Sequence, residues 1–122
     1  MVGLLRTERK NEEFIKKDVR HIVLKIMLLK MIAAKKSYTY QLFKNVAKSR
    51  FAGAFGKEDI KNDVYNTIAL LLNSGYIRVV NERDGNSIKK YYTITKKGRE
   101  SLVEAKKIFR NALLDLSRQF GV

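Results

Sequence analysis

Apolar residues recur along this chain with two different periods, and the periods divide it into elements. From about Asn11 onward, Phe14, Ile15, Val19, Ile22, Val23, Ile26, Met27 and Leu29 return at three- and four-residue steps, the spacing that lines one face of a helix. Asn11 is a candidate cap, and Glu12 and Glu13 suit the positive end of the helix dipole. This first helix is expected to reach Ala34 or Lys35, with a break near Asp18 as the alternative. Ser37 reads as the cap of a second helix over residues 38–50, with Leu42, Phe43, Val46 and Ala47 inward. Residues 51–56 carry two glycines in six positions and read as a loop. A third helix over residues 58–74 has Ile60, Val64, Ile68, Leu71 and Leu72 on its buried stripe, and Gly75 stands where a left-handed C-terminal cap belongs.

The period then changes. Residues 76–83 and 87–95 read as two strands, and Asp84-Gly85-Asn86 between them is hairpin chemistry, because glycine and Asx residues tolerate positive φ. Thr95 can cap a last helix over residues 96–120. Three helices, a two-stranded hairpin and a final helix follow the plan of a winged helix-turn-helix. The expected fold class is therefore α+β, mostly helical: a winged helix-turn-helix with an N-terminal helical extension and a long C-terminal dimerisation helix. Residues 1–20, with Arg6, Arg9 and Lys10, would form a basic arm and the start of the first helix; 21–95 the DNA-binding domain; 96–122 the dimerisation helix.

Charge sharpens this picture. The 122 residues, enough for one domain, hold 26 Lys+Arg against 12 Asp+Glu, a net charge of +14. Such an excess favours a polyanionic partner. The chain lacks cysteine, which excludes disulfides, thiolate metal sites and cysteine nucleophiles. Its longest apolar stretch, residues 22–34, is interrupted by Lys25 and Lys30, so no membrane span is expected. No signal-peptide pattern opens the sequence, and a cytoplasmic, nucleoid-associated address is the expectation.

On a helical wheel the third helix places Asn62, Asn66 and Asn73 opposite its apolar stripe, with Ala69 between them and Lys61 and Tyr65 at the flanks. Asparagine is a poor helix former, but its amide can pair bidentately with adenine in the major groove. Lys57, Lys61, Asn62, Tyr65 and Asn66 are thus candidate DNA contacts, while Glu58, Asp59 and Asp63 favour the helix dipole yet would repel phosphates. In the hairpin, Arg83, Asn86, Ser87, Lys89 and Lys90 suit contact with the backbone or minor groove. Edge lysines that discourage strand aggregation would look the same.

Residues 65–77, Tyr-Asn-Thr-Ile-Ala-Leu-Leu-Leu-Asn-Ser-Gly-Tyr-Ile, and residues 91–102, Tyr-Tyr-Thr-Ile-Thr-Lys-Lys-Gly-Arg-Glu-Ser-Leu, resemble the PadR-like branch of winged-helix transcription regulators. Residues 38–42 resemble that family's second-helix start, with Tyr40 at its tyrosine, which adds Tyr40 to the candidate DNA contacts. The stronger match spans about residues 65–102, and a weaker one extends back to about residue 24. MarR-like regulators share these motifs loosely. The sequence departs from the family at Thr39, where glycine is usual, in residues 50–57, and in its long first helix. The resemblance implies a homodimer on a palindromic operator, often as a repressor.

On the last helix Leu102, Ala105, Phe109, Ala112, Leu113, Leu116 and Phe120 form a broad apolar stripe, expected to build the dimer interface with help from residues 11–30. Other motifs are weak. Gly53 and Gly56 match the spacing of a KH-domain loop, but a helix precedes them where that fold needs a strand. Gly56-Lys57 lacks the earlier glycine and the hydroxyl of a P-loop. His21, the one histidine, has no partner at ligand spacing. No nucleophile motif or catalytic carboxylate pair is apparent, so the expectation is a non-enzyme without cofactor or metal, and no pattern identifies a small-molecule effector. Besides a sequence-specific regulator on double-stranded DNA, an architectural DNA coat, an RNA-binding winged helix and a protein-interaction module fit the charge.

Overall fold

The computed structural model describes residues 2–55 and 59–121, with side chains described within 17–54 and 59–121. Its elements are α1 (Val2–Ala34), α2 (Thr39–Lys48), α3 (Arg50–Phe55), α4 (Ile60–Asn73), β1 (Ile77–Asp84), β2 (Ser87–Ile94) and α5 (Lys96–Phe120). This is the expected winged helix-turn-helix, with one helix more than the sequence pattern suggested. Leu24, Leu28, Leu29 and Ile32 of α1, Leu42 and Val46 of α2, and Ile60, Val64, Ile68 and Leu71 of α4 form the core, closed by Phe51, Ala52, Ile77 and Leu102.

Four sequence expectations need correction. The first helix begins at Val2, before Asn11, and is unbroken at Asp18. Residues 4–10 are mostly Leu, Arg, Glu and Lys, good helix formers with no breaker among them. Its buried stripe is also rotated from the expected one: Leu24, Leu28 and Ile32 point inward, whereas Val19 and Ile22 are exposed. Apolar residues occupy more than half the circumference here, so periodicity alone does not choose the inner face.

Ser37 does not cap α2. Tyr38 holds that position, and its backbone N–H donates to Gln41 Oε1 at 3.2 Å. Ser37 instead exchanges backbone hydrogen bonds with Tyr92 (3.3 and 2.8 Å), adding a short third rung to the edge of β2. Its hydroxyl turns back to the Lys35 carbonyl at 2.9 Å. Finally, residues 50–55 form α3 and not a loop, because Phe51 and Ala52 are buried in the core and one helical turn places both on the same side. Packing outweighs the low helix propensity of Gly53.

The turn from α4 into the wing is a Schellman motif. Gly75 (φ +76°) donates to the Leu72 carbonyl at 3.1 Å and Tyr76 to that of Leu71 at 2.9 Å, with Gly75 in the left-handed conformation the motif requires. The hairpin pairs antiparallel from Ile77↔Ile94 to Asp84↔Ser87, and Gly85 (φ +63°) opens its two-residue loop. Thr95 then caps α5: its Oγ1 accepts from the Gly98 N–H at 3.0 Å and lies 2.7 Å from the Gly75 carbonyl, to which it donates. The wing base, the end of α4 and the start of α5 are thereby tied at one point.

Candidate nucleic-acid interface

Helix α4 buries Ile60, Val64, Thr67, Ile68 and Leu71 and thereby turns its other side outward. Lys61, Asn62, Tyr65, Asn66, Ala69 and Asn73 are all exposed, so the polar face drawn from the sequence is a solvent-facing surface. Lys57, placed with them by the sequence, lies outside the described residues.

The acidic residues of α4 are handled in a way the sequence did not disclose. Asp63 is ion-paired to Arg20 of α1, and both side chains are about one-fifth exposed. The carboxylate that would repel a phosphate is therefore neutralised and held toward α1. Asp59 occupies the helix N-cap with a left-handed backbone (φ +60°), a conformation Asp tolerates better than most residues. No local spacing signals the Arg20–Asp63 pair, since its halves come from different helices.

The hairpin separates its candidate residues. Strand alternation places Arg83 and Lys90 on one face, and both are exposed. Lys89 lies on the other face, 2.9 Å from Asp84 and 5.3 Å from the Tyr38 ring centroid. The hydrogen bond and negative charge of Asp84 push its pKa above the ordinary lysine value, so Lys89 is fully cationic at neutral pH. On that second face Lys36 is ion-paired to Glu82 and stands 5.2 Å from the Tyr91 centroid, while Tyr38 and Tyr91 meet edge to face at 5.7 Å. Two lysines and two tyrosines thus latch the wing to the α1–α2 junction. Lys36 was not among the sequence candidates. Asn86 and Ser87 are exposed at the tip, where the Ser87 hydroxyl donates to the Asp84 carbonyl at 3.0 Å. Tyr40, 58% exposed, stands at the start of α2 with the Lys44 ammonium 5.7 Å from its ring.

On α5, Leu102 is buried in the core of its own chain and leaves the expected interface stripe. Ala105 and Phe109 are half-buried beside α1, and Ala112, Leu113, Leu116 and Phe120 are exposed. His21 is exposed, and among the described residues no group of three metal-ligating side chains occurs. No helix of the described residues is long and apolar enough to cross a membrane.

Helix-turn-helix core, hairpin wing and outward polar helix together define a protein of the winged-helix DNA-binding fold. The family model for the transcriptional regulator PadR-like family matches residues 28–104. The chain belongs to that family of transcriptional regulators, as the resemblance implied. Among solved structures it is similar to a PadR-family regulator from Eggerthella lenta (18% identity, TM-score 0.70, 93% of this chain and 95% of that one). It is also similar to a transcriptional regulator from Clostridium thermocellum (19%, TM-score 0.68, 84% and 95%). A third similar structure is Bacillus subtilis PadR in complex with operator DNA (20%, TM-score 0.55, 67% of this chain and 44% of that one). No curated protein matches the chain at a significant level.

Proposed function

We propose that this chain is a homodimeric, sequence-specific regulator of transcription on double-stranded DNA, acting as a repressor by occluding promoter DNA. The observation that carries the reading is the outward face of α4, where Asn62 and Asn66 stand one turn apart between Lys61, Tyr65 and Ala69 while Asp63 is held by Arg20. Amide groups on an exposed helix face suit adenine edges in a major groove, and small Ala69 permits close approach. The wing, residues 76–95, touches the adjacent backbone or minor groove. Helix α5, with help from residues 11–30, supplies the two-fold that matches two half-sites. This role needs no catalytic group or cofactor and places the protein in the cytoplasm, on the nucleoid.

The test is selection from a random duplex pool at near-physiological salt, followed by sequencing. The expected result is an enriched palindrome with half-sites one helical turn apart. Asn62→Ala and Asn66→Ala should each weaken that site about tenfold or more and relax discrimination at one position per half-site. Strong retention without an enriched motif would overturn base reading by α4 and favour an architectural coat, for which the exposed Lys44, Lys48 and Arg50 outside the wing already supply charge.

A further inference from the structure

Helix α1 changes character where it leaves the core. Leu24, Leu28 and Ile32, a turn apart, form its buried stripe. At about 3.6 residues per turn the same stripe runs back through His21 and Lys17, and both are exposed. Lys25, one turn after His21, adds a third exposed group to this side. The apolar residues of these turns, Val19 and Ile22, lie on the opposite side of the helix. A stripe that is apolar against the body therefore becomes basic beyond it. All three groups precede residue 28, where the family match begins.

The basic stripe runs beside α4. His21 and Lys25 share a cleft of about 300 Å³ with Asp63, Asn66, Thr67 and Leu70. A helix seated in a major groove has a phosphate strand along each flank. On α4, Lys61 and Tyr65 line one flank, while Asn66 and Leu70 line the other, where α1 stands. A duplex read by Asn66 would bring its backbone past the α1 stripe. Of the carboxylates nearby, Asp63 is engaged by Arg20, Asp18 follows Lys17 on α1, and Glu104 of α5 borders Lys25 on its far side.

We infer that α1 is itself a DNA-contact element, in which Lys17, His21 and Lys25 hold the phosphate strand that passes the α1 flank of α4. This rests on the reading of α4 as a major-groove helix and adds a surface supplied by the long first helix. Phosphate contacts fix register without reading sequence, so the stripe acts on every duplex alike.

The test measures binding of the full chain to a mixed-sequence duplex across a range of salt. Each phosphate neutralised contributes about 0.9 to the slope of log affinity against log salt, so Lys17→Ala with Lys25→Ala should lower it by about 1.8 per bound protomer. Lys30→Ala removes an exposed cation from the opposite side of the same helix and should leave the slope unchanged. His21, the chain's one histidine, supplies a second readout, because histidine gains its charge as pH falls through the neutral range. The charged groups around it are Lys17, Asp18, Arg20 and Lys25 on α1 and Asp63 on α4. Between about pH 8 and pH 6 wild-type binding should tighten about threefold, and His21→Gln should lose that gain. Unaltered melting temperatures would show that the variants fold. An unchanged slope in the double lysine variant, an equal loss in Lys30→Ala, or a pH response the same with and without His21 overturns the proposal while leaving base reading by α4 standing. Failure of the wild type to bind any duplex overturns both.

Discussion

At Gly98 there is no space for a single methyl group: a Cβ would stand 2.0 Å from the Tyr76 carbonyl oxygen and 2.7 Å from Ile94 Cγ1. The first turn of α5 presses on the turn between α4 and β1, and this contact sets how the wing leaves the body. Gly98→Ala should therefore cost about 2–3 kcal/mol, the upper range for overpacking, and lower the melting temperature markedly. Gly75→Ala makes a different demand. The nearest foreign atom to its Cβ is Lys97 Cδ at 4.0 Å, so only the positive φ penalises it, by about 1 kcal/mol. Thermal melts of the two variants should rank them in that order, and the reverse order would show that the close approach at Gly98 relaxes freely. The cap role of Gly75 was legible in the sequence because it depends on neighbours in the chain. The demand at Gly98 was not, because the oxygen it avoids belongs to another element.

At the scale of elements, α4 depends on α1 for its electrostatics. The α4 carboxylate nearest the candidate reading face is neutralised by Arg20, from a helix whose first 26 residues lie outside the family match. Arg20→Ala should leave Asp63 uncompensated and weaken duplex binding about two- to fivefold, consistent with roughly 0.5–1 kcal/mol for a partly exposed pair. Asp63→Asn in the same chain should restore most of that loss. If the double variant binds no better than Arg20→Ala, then Arg20 acts on DNA directly and the pair is incidental to binding. The same pair shows where sequence reading reaches its limit. The hairpin, α4 and α5 were legible because local chemistry fixes them: Gly85 at a positive φ, Thr95 capping, Leu71 and Leu72 leading into Gly75. The inner face of α1 was not, since Val19, Ile22 and Ile26 compete with Leu24, Leu28 and Ile32 for the core, and only packing decides. Helix α3 was hidden by Gly53 within it and Gly56 just beyond it, and Ser37 has the chemistry of a cap although its backbone pairs with Tyr92 at the edge of β2.

For the whole molecule, the decisive surface is the outer half of α5, whose apolar side chains its own chain leaves uncovered. Leu113, Leu114, Leu116 and Phe120 are 44–72% exposed, near one another along a helix that has already passed its last buried residue, Leu102. Four large apolar side chains in eight positions of an otherwise basic chain would be costly to leave in water. The proposed two-fold buries them and sets two α4 helices in register with two major grooves. Because these side chains contribute nothing to the core of the single chain, Leu116→Glu with Phe120→Glu should keep its helical circular-dichroism signal and yield monomers by sedimentation. Each chain would then bring only its own cations to DNA. The dependence of log affinity on log salt scales with the number of phosphates neutralised, so its slope should fall to about half that of the wild type, and the palindrome preference should vanish. A double variant that sediments as a dimer would place the two-fold elsewhere, with the α1 face of Val19 and Ile22 the next surface to alter. A monomer that keeps the full salt slope would instead mean that one chain already carries the whole DNA footprint. The apolar end of α5 would then serve association between regulators and not the recognition of paired half-sites.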